Sequence, residues 1–116
     1  MPDTAAPRRL TLEVDRSRSY PVVRCSGRLV AGVNDRLYRE VSQLIPGSQR
    51  IVLDLKHLTH MDSMGLGTLV RLYVSAKSAG SVLELINMGT SVRQLLGITH
   101  LLSVFQTIGE NNIRMG

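Results

Sequence analysis

The side chains that could do chemistry together in this 116-residue chain are gathered in one stretch, Leu53 to Thr68, which holds Asp54, His57, His60, Asp62 and Ser63. Three chemistries can be asked of it. The first is a serine nucleophile. Met61-Asp62-Ser63-Met64-Gly65 is one glycine short of a Gly-x-Ser-x-Gly elbow. A hydrolase of that type places its acid and histidine after the serine and is usually built on a larger chain. The second is a metal centre. His57 and His60 supply too few ligands, and the single cysteine, Cys25, cannot complete a site. They are expected to be loop histidines, and Cys25 an inward-facing core residue. The third is recognition or modification at a helix start. A serine there meets backbone N–H groups without helical partners and the positive end of the helix dipole. Its hydroxyl can cap the helix, or it can carry a phosphoryl group. Asp62 beside it is a second cap, a solvated loop acid or an orienting group. Gly65 and Gly67 let another backbone approach the turn closely, each at a cost of about 1 kcal/mol of helix stability relative to alanine. Nothing in the chain matches the Gly-x-x-x-x-Gly-Lys-Ser/Thr loop of a nucleotide-binding enzyme.

The elements that must position this turn follow from periodicity. Leu10, Leu12 and Val14 alternate with polar residues, and Val23 and Cys25 do so again up to Gly27. Two short strands joined by a polar turn predict an antiparallel hairpin. Asn34 is placed as an N-cap for a helix whose apolar face is Leu37, Tyr38, Val41, Leu44 and Ile45, stopped by Pro46-Gly47. Ile51 to Leu55 is apolar almost without interruption, which suits a strand buried on both faces of a parallel sheet. A second helix runs from about Ser63 to Ala79. Leu66, Leu69, Val70, Tyr73 and Val74 form its apolar side, and Met64, Thr68, Arg71, Ser75 and Ser78 its polar stripe. Ser81 to Asn87 reads as a fourth strand. Thr90 or Ser91 caps a short third helix with Val92, Leu95 and Leu96, and Leu101 to Phe105 offer a fifth strand or a buried closing segment. The order β-β-α-β-α-β-α-β gives a single α/β domain with a mostly parallel sheet, over 10–106, between a frayed 1–9 and a short tail at 107–116. Asp54 is expected to satisfy backbone donors near the end of its strand.

Composition narrows the function classes. The net charge of +5 is carried by dispersed arginines with neither a dense run nor interleaved aromatics, so no direct nucleic-acid binding is expected. No apolar run approaches the roughly 20 residues that span a bilayer, so no membrane insertion is expected. No secretory leader is visible at the N-terminus. These features point to a cytoplasmic protein without cofactors.

Val52-Leu53-Asp54-Leu55 followed by Met61-Asp62-Ser63-Met64-Gly65-Leu66-Gly67 resembles the signature of STAS domains, specifically the bacterial anti-sigma factor antagonists. The resemblance extends from about Leu10 to Phe105 and takes in Gly27-Arg28-Leu29 and Leu95-Leu96-Gly97-Ile98-Thr99-His100-Leu101. It implies a non-enzymatic phosphorylation switch. Ser63 would be the phosphoacceptor of an anti-sigma factor serine kinase, which binds the unphosphorylated form, and a PP2C-type phosphatase would reverse the modification. Asp62, Met64, Gly65, Leu66, Thr68 and Arg71 would form the partner surface, with Asp54 and Gly67 as structural support, on a monomer or weak dimer. The same resemblance admits a second role, as a non-phosphorylated subunit of a stressosome or lipid-transport complex. The chain departs from the family pattern at Val30, where an aspartate is common, and at Met64, where a small residue is usual.

Overall fold

The computed structural model describes residues 9–90, 92–94 and 106–108. Five strands and two complete helices follow in the order β1 (Leu10–Asp15), β2 (Val22–Leu29), α1 (Asn34–Ser42), β3 (Arg50–Met61), α2 (Ser63–Ser78), β4 (Val82–Ile86) and β5 (Gln106–Ile108). They form one sheet in the order β1-β2-β3-β4-β5. β1 and β2 are antiparallel, and every later pair is parallel. The predicted hairpin and mostly parallel sheet are therefore the observed fold. Each crossover steps one strand further in the same direction, and right-handed connections of that kind put their helices on one face of the sheet.

That face carries the core. Val23, Cys25, Leu29, Ile51, Leu53, Leu55, Leu83 and Leu85 lie beneath Leu37 and Val41 of α1 and Leu66, Leu69, Leu72 and Ala76 of α2, all buried. Burial pushes the Cys25 thiol up to about 12, so it is a small core residue and no ready nucleophile. The opposite face is organised by charge. Arg24 pairs with Asp15 at 2.9 Å. The Ser17 hydroxyl and amide, with that arginine, hold the Asp15 carboxyl down at about 2. On β4, Glu84 is wholly buried and accepts a hydrogen bond from Arg50 Nε, while the Arg50 guanidinium lies over the Tyr20 ring at 4.3 Å.

Four expectations are corrected. β3 does not end near Leu55 but continues to Met61, so His57 and His60 are strand residues. Its pairing with β2 slips twice, between Arg24 and Ser26 and between Gly27 and Arg28. These bulges separate the buried Leu55 and Leu58 by three residues, and the lost alternation disguises a strand as a loop. β2 runs through Gly27 to Leu29 because Gly27 has φ +96° and a Cβ there would lie 1.7 Å from the Arg9 carbonyl oxygen. Asn34 is no N-cap. Val33 holds that position without a side-chain bond, and Asn34 turns inward. Finally, β5 takes Thr107 and Ile108 into the sheet, beyond the expected domain boundary. Of the third helix, residues 90 and 92–94 are helical with Val92 buried. Leu95, Leu96 and the proposed 101–105 segment lie outside the described residues.

The Arg50–Glu84 pair is open to test. Arg50→Met leaves a wholly buried carboxylate without its guanidinium and is expected to cost about 3 kcal/mol in urea denaturation. That is the low end for a broken buried pair, because the Arg50 side chain is 28% exposed.

Candidate functional site

The turn between β3 and α2 is built on one carboxylate. Asp62 has extended backbone at φ −111° and ψ −173° and is the N-cap of α2. Its Oδ1 accepts from the N–H groups of Met64 and Gly65, both at 3.0 Å. Its Oδ2 accepts from the N–H of Ala31, also at 3.0 Å, in the β2–α1 loop. Donation from Ala31 first, then from Gly65, holds the Asp62 carboxyl below its ordinary value of 3.8, against the opposing effect of desolvation. One side chain thus satisfies the first donors of α2 and fastens the preceding crossover to it.

Gly65 is the steric counterpart. A Cβ there would lie 2.1 Å from the Leu29 carbonyl oxygen and 2.9 Å from Leu29 Cγ and Met61 Cγ. Only glycine lets the first turn of α2 sit this close to the end of β2. Gly67 differs, since a Cβ there meets nothing within 4 Å. The packing reason for a glycine in this helix applies to Gly65 alone.

Ser63, the first residue of α2, is exposed, and its hydroxyl has no hydrogen-bond partner among the described residues. The two roles open to it from sequence are thereby separated: Asp62 caps, and the Ser63 hydroxyl faces solvent. Among the described residues no base is hydrogen-bonded to it. His60 Nδ1 is engaged with Thr59 Oγ1 at 2.9 Å, and Thr59 in turn donates to the Gly27 carbonyl. Among the described residues no group of three His, Cys, Asp or Glu side chains is arranged to hold a metal.

The expected polar stripe of α2 is rotated by about one residue. Thr68 is buried, donating to the Met64 carbonyl at 3.1 Å and accepting from Asn34 Nδ2 at 3.1 Å, so it ties α2 to α1. Tyr38 of α1 is reached by Ser75, whose hydrogen bond is the chief cause of a Tyr38 hydroxyl pKa below the ordinary 10.0. Gly65 and Leu66 are buried as well. Gly65, Leu66 and Thr68 are thus buried in the packing of α2. Val74, expected inside, is 56% exposed, and Met64 is 53% exposed. The outward stripe is Met64, Gly67, Arg71 and Val74, spaced three, four and three, with Arg71 lying 4.0 Å over the Tyr38 ring. Val74 and Ala31 are the residues that sequence reasoning missed. The spacing from Met64 signals the first, and no sequence feature signals the second, which acts through its backbone.

Asp54 lies on the other face of the sheet, away from this turn. Its Oδ1 accepts from Lys56 N and from Asn87 Nδ2, both at 3.0 Å, and so steadies Asn87 in the left-handed region at φ +58° where β4 ends.

Asp62→Ala is expected to lower stability by about 1–2 kcal/mol at neutral pH in urea titrations, as for the loss of an N-cap. The folded carboxyl is depressed, so its contribution is complete above the unfolded value and is lost as the pH falls through the lower folded one. The gap between wild type and variant should therefore narrow below pH 3.8, and a gap that widens in acid would remove this role.

A family model, the STAS domain, matches residues 11–112. An anti-sigma F factor antagonist of Paenibacillus polymyxa is 30% identical over 97 residues, covering 82% of this chain and 83% of that one. An anti-sigma factor antagonist from Mycobacterium paratuberculosis superposes with a TM-score of 0.77 at 20% identity, covering 87% of this chain and 86% of that one. The anti-sigma factor antagonist SpoIIAA in its unphosphorylated form superposes at 0.72 and 18% identity over 87% and 90% of the two chains. Its phosphorylated form, from Bacillus, superposes at 0.66 and 20% over 89% and 94%. No helix among the described residues is long and apolar enough to cross a membrane. With the sheet order, the Asp62-capped turn and a family match spanning most of its length, this chain belongs to the STAS domain family.

Proposed function

We propose that the protein is an anti-sigma factor antagonist, a binding protein rather than an enzyme, controlled by phosphorylation of Ser63. The observation that carries this reading is an exposed Ser63 hydroxyl, without a hydrogen-bond partner among the described residues, at the head of the outward stripe Met64, Gly67, Arg71 and Val74. The antagonist named above as 30% identical supports it. In its unphosphorylated form the stripe docks on an anti-sigma factor serine kinase. Met64 and Val74 supply apolar contact, and Gly67 leaves room for the partner's backbone. A PP2C-type phosphatase restores the form that binds.

The geometry bears on how the switch acts. A phosphoryl group at a helix start is ordinarily received by the first N–H groups. Here Asp62 Oδ1 already occupies those of Met64 and Gly65. A phosphoryl on Ser63 would add about −1.5 to −2 charges next to a carboxylate held ionised by its donors. It therefore creates no new cap. It places concentrated negative charge on a half-apolar surface, where desolvation and repulsion oppose docking.

The protein is to be incubated with ATP and each anti-sigma kinase encoded in its genome, and phosphate located by mass spectrometry. Ser63 is expected to carry it, Ser63→Asp to lose the partner, and Ser63→Ala to keep it. If no kinase modifies Ser63 and Ser63→Asp leaves every interaction intact, the switch fails. A partner retained on this face would then favour the non-phosphorylated assembly role. A second test uses Gly67→Ala. Relief of the helix cost should raise stability by about 0.5–1 kcal/mol in thermal or urea unfolding. Binding of the kinase should nonetheless weaken, and unchanged binding would take Gly67 out of the contact.

A further inference from the structure

The geometry points to a second interaction surface, a basic groove between the free edge of β1 and helix α1, fitted to an acidic segment in extended conformation. β1 is the outer strand of the sheet on this side. Arg28 N donates to the Arg9 carbonyl, so residue 9 turns its main chain toward β2. Antiparallel alternation then directs the main-chain groups of Leu10, Leu12 and Val14 outward. Arg36 of α1 confirms the phase by donating from Nη1 to the Leu10 carbonyl oxygen at 2.8 Å. Only that outward carbonyl is covered by a side chain among the described residues. Among the described residues no hydrogen bond engages the outward N–H and C=O groups of Leu12 and Val14, which offers them to an added strand.

Beside this edge lie two adjoining hollows of about 470 and 410 Å³ that share Arg36 and Arg39. Arg9 lines the first and Arg16 the second, so among the described residues four arginines face two carboxylates, Asp35 and Glu40. Glu40 is already paired with Arg36 at 3.3 Å. The guanidinium groups of Arg9, Arg16 and Arg39 have no hydrogen bond or ion pair among the described residues.

Charge selects an acidic occupant, and the open strand edge selects a peptide over a nucleic acid. Among the described residues no aromatic side chain lines either hollow to stack a base, whereas Val14, Val33 and Leu44 give an apolar floor. The groove requires neither Ser63 nor the outward stripe of α2, so its test is independent of the switch.

The test uses the full chain labelled with ¹⁵N and a heptapeptide of alternating Glu and Val with blocked ends. The amide signals of Leu12 and Val14 are expected to shift on titration, and binding to weaken roughly tenfold in the Arg16→Glu/Arg39→Glu double variant. Both residues are exposed, so the variant's spectrum away from the groove should be unchanged. Any of four results overturns the inference. These are no shift at Leu12 and Val14, shifts that survive the charge reversal, an equal or tighter response to a single-stranded oligonucleotide of the same charge, or the same shifts produced by raising the protein concentration alone.

Discussion

Asp62 accepts three backbone N–H groups with two oxygens, and the location of α2 depends on that arrangement. Two of the donors begin the helix. The third belongs to the loop that carries the chain from β2 into α1. The contact therefore fixes the two helices at a common rim of the sheet before any side chain between them is counted. Gly65 allows the approach, since any Cβ would strike the Leu29 carbonyl, and the Asn34–Thr68 hydrogen bond extends it further along the helix pair. Ser63 is presented outward as a result: the role that its hydroxyl could have filled is taken by its neighbour.

Much of this was legible from residue types. The β1–β2 hairpin, the parallel strands, the apolar face of α1 and the start of α2 all carry clean periodicities, and burial follows those patterns. The turn itself was recognisable because aspartate, serine and two glycines are the residue types that helix starts and close approaches require. What remained hidden has a physical cause in each case. The bulges in β3 hid its last six residues, because alternation is the only signal a half-buried strand offers. The inward turn of Asn34 and Thr68 was hidden because each satisfies the other. A polar residue whose partner lies 34 positions away looks solvent-exposed in any local window. Glu84 was hidden in the same way, as a charge in an apolar strand whose partner Arg50 is supplied by the neighbouring strand.

Rotation of the α2 stripe by one residue changes what the helix presents to solvent. With Thr68 and Ser75 turned toward α1, the outward surface consists of two large apolar side chains, a glycine and an arginine already stacked on an aromatic ring. That surface has little charge of its own. A change in charge at its head then has more effect than it would on a surface already crowded with ions.

The helices occupy one side of the sheet, and the two sides answer differently to the ionic medium. The helix side is held by aliphatic burial, which ordinary salt leaves nearly unchanged. On the other side the Arg24 pairs with Glu13 and Asp15 lie partly in solvent, within reach of a screening atmosphere about 8 Å deep at physiological ionic strength. Glu84, wholly buried on that same side, is shielded from it. The domain thus has a seam of exposed ion pairs that loosens with salt along β1 and β2, and between β3 and β4 a pair with a buried carboxylate that loosens less.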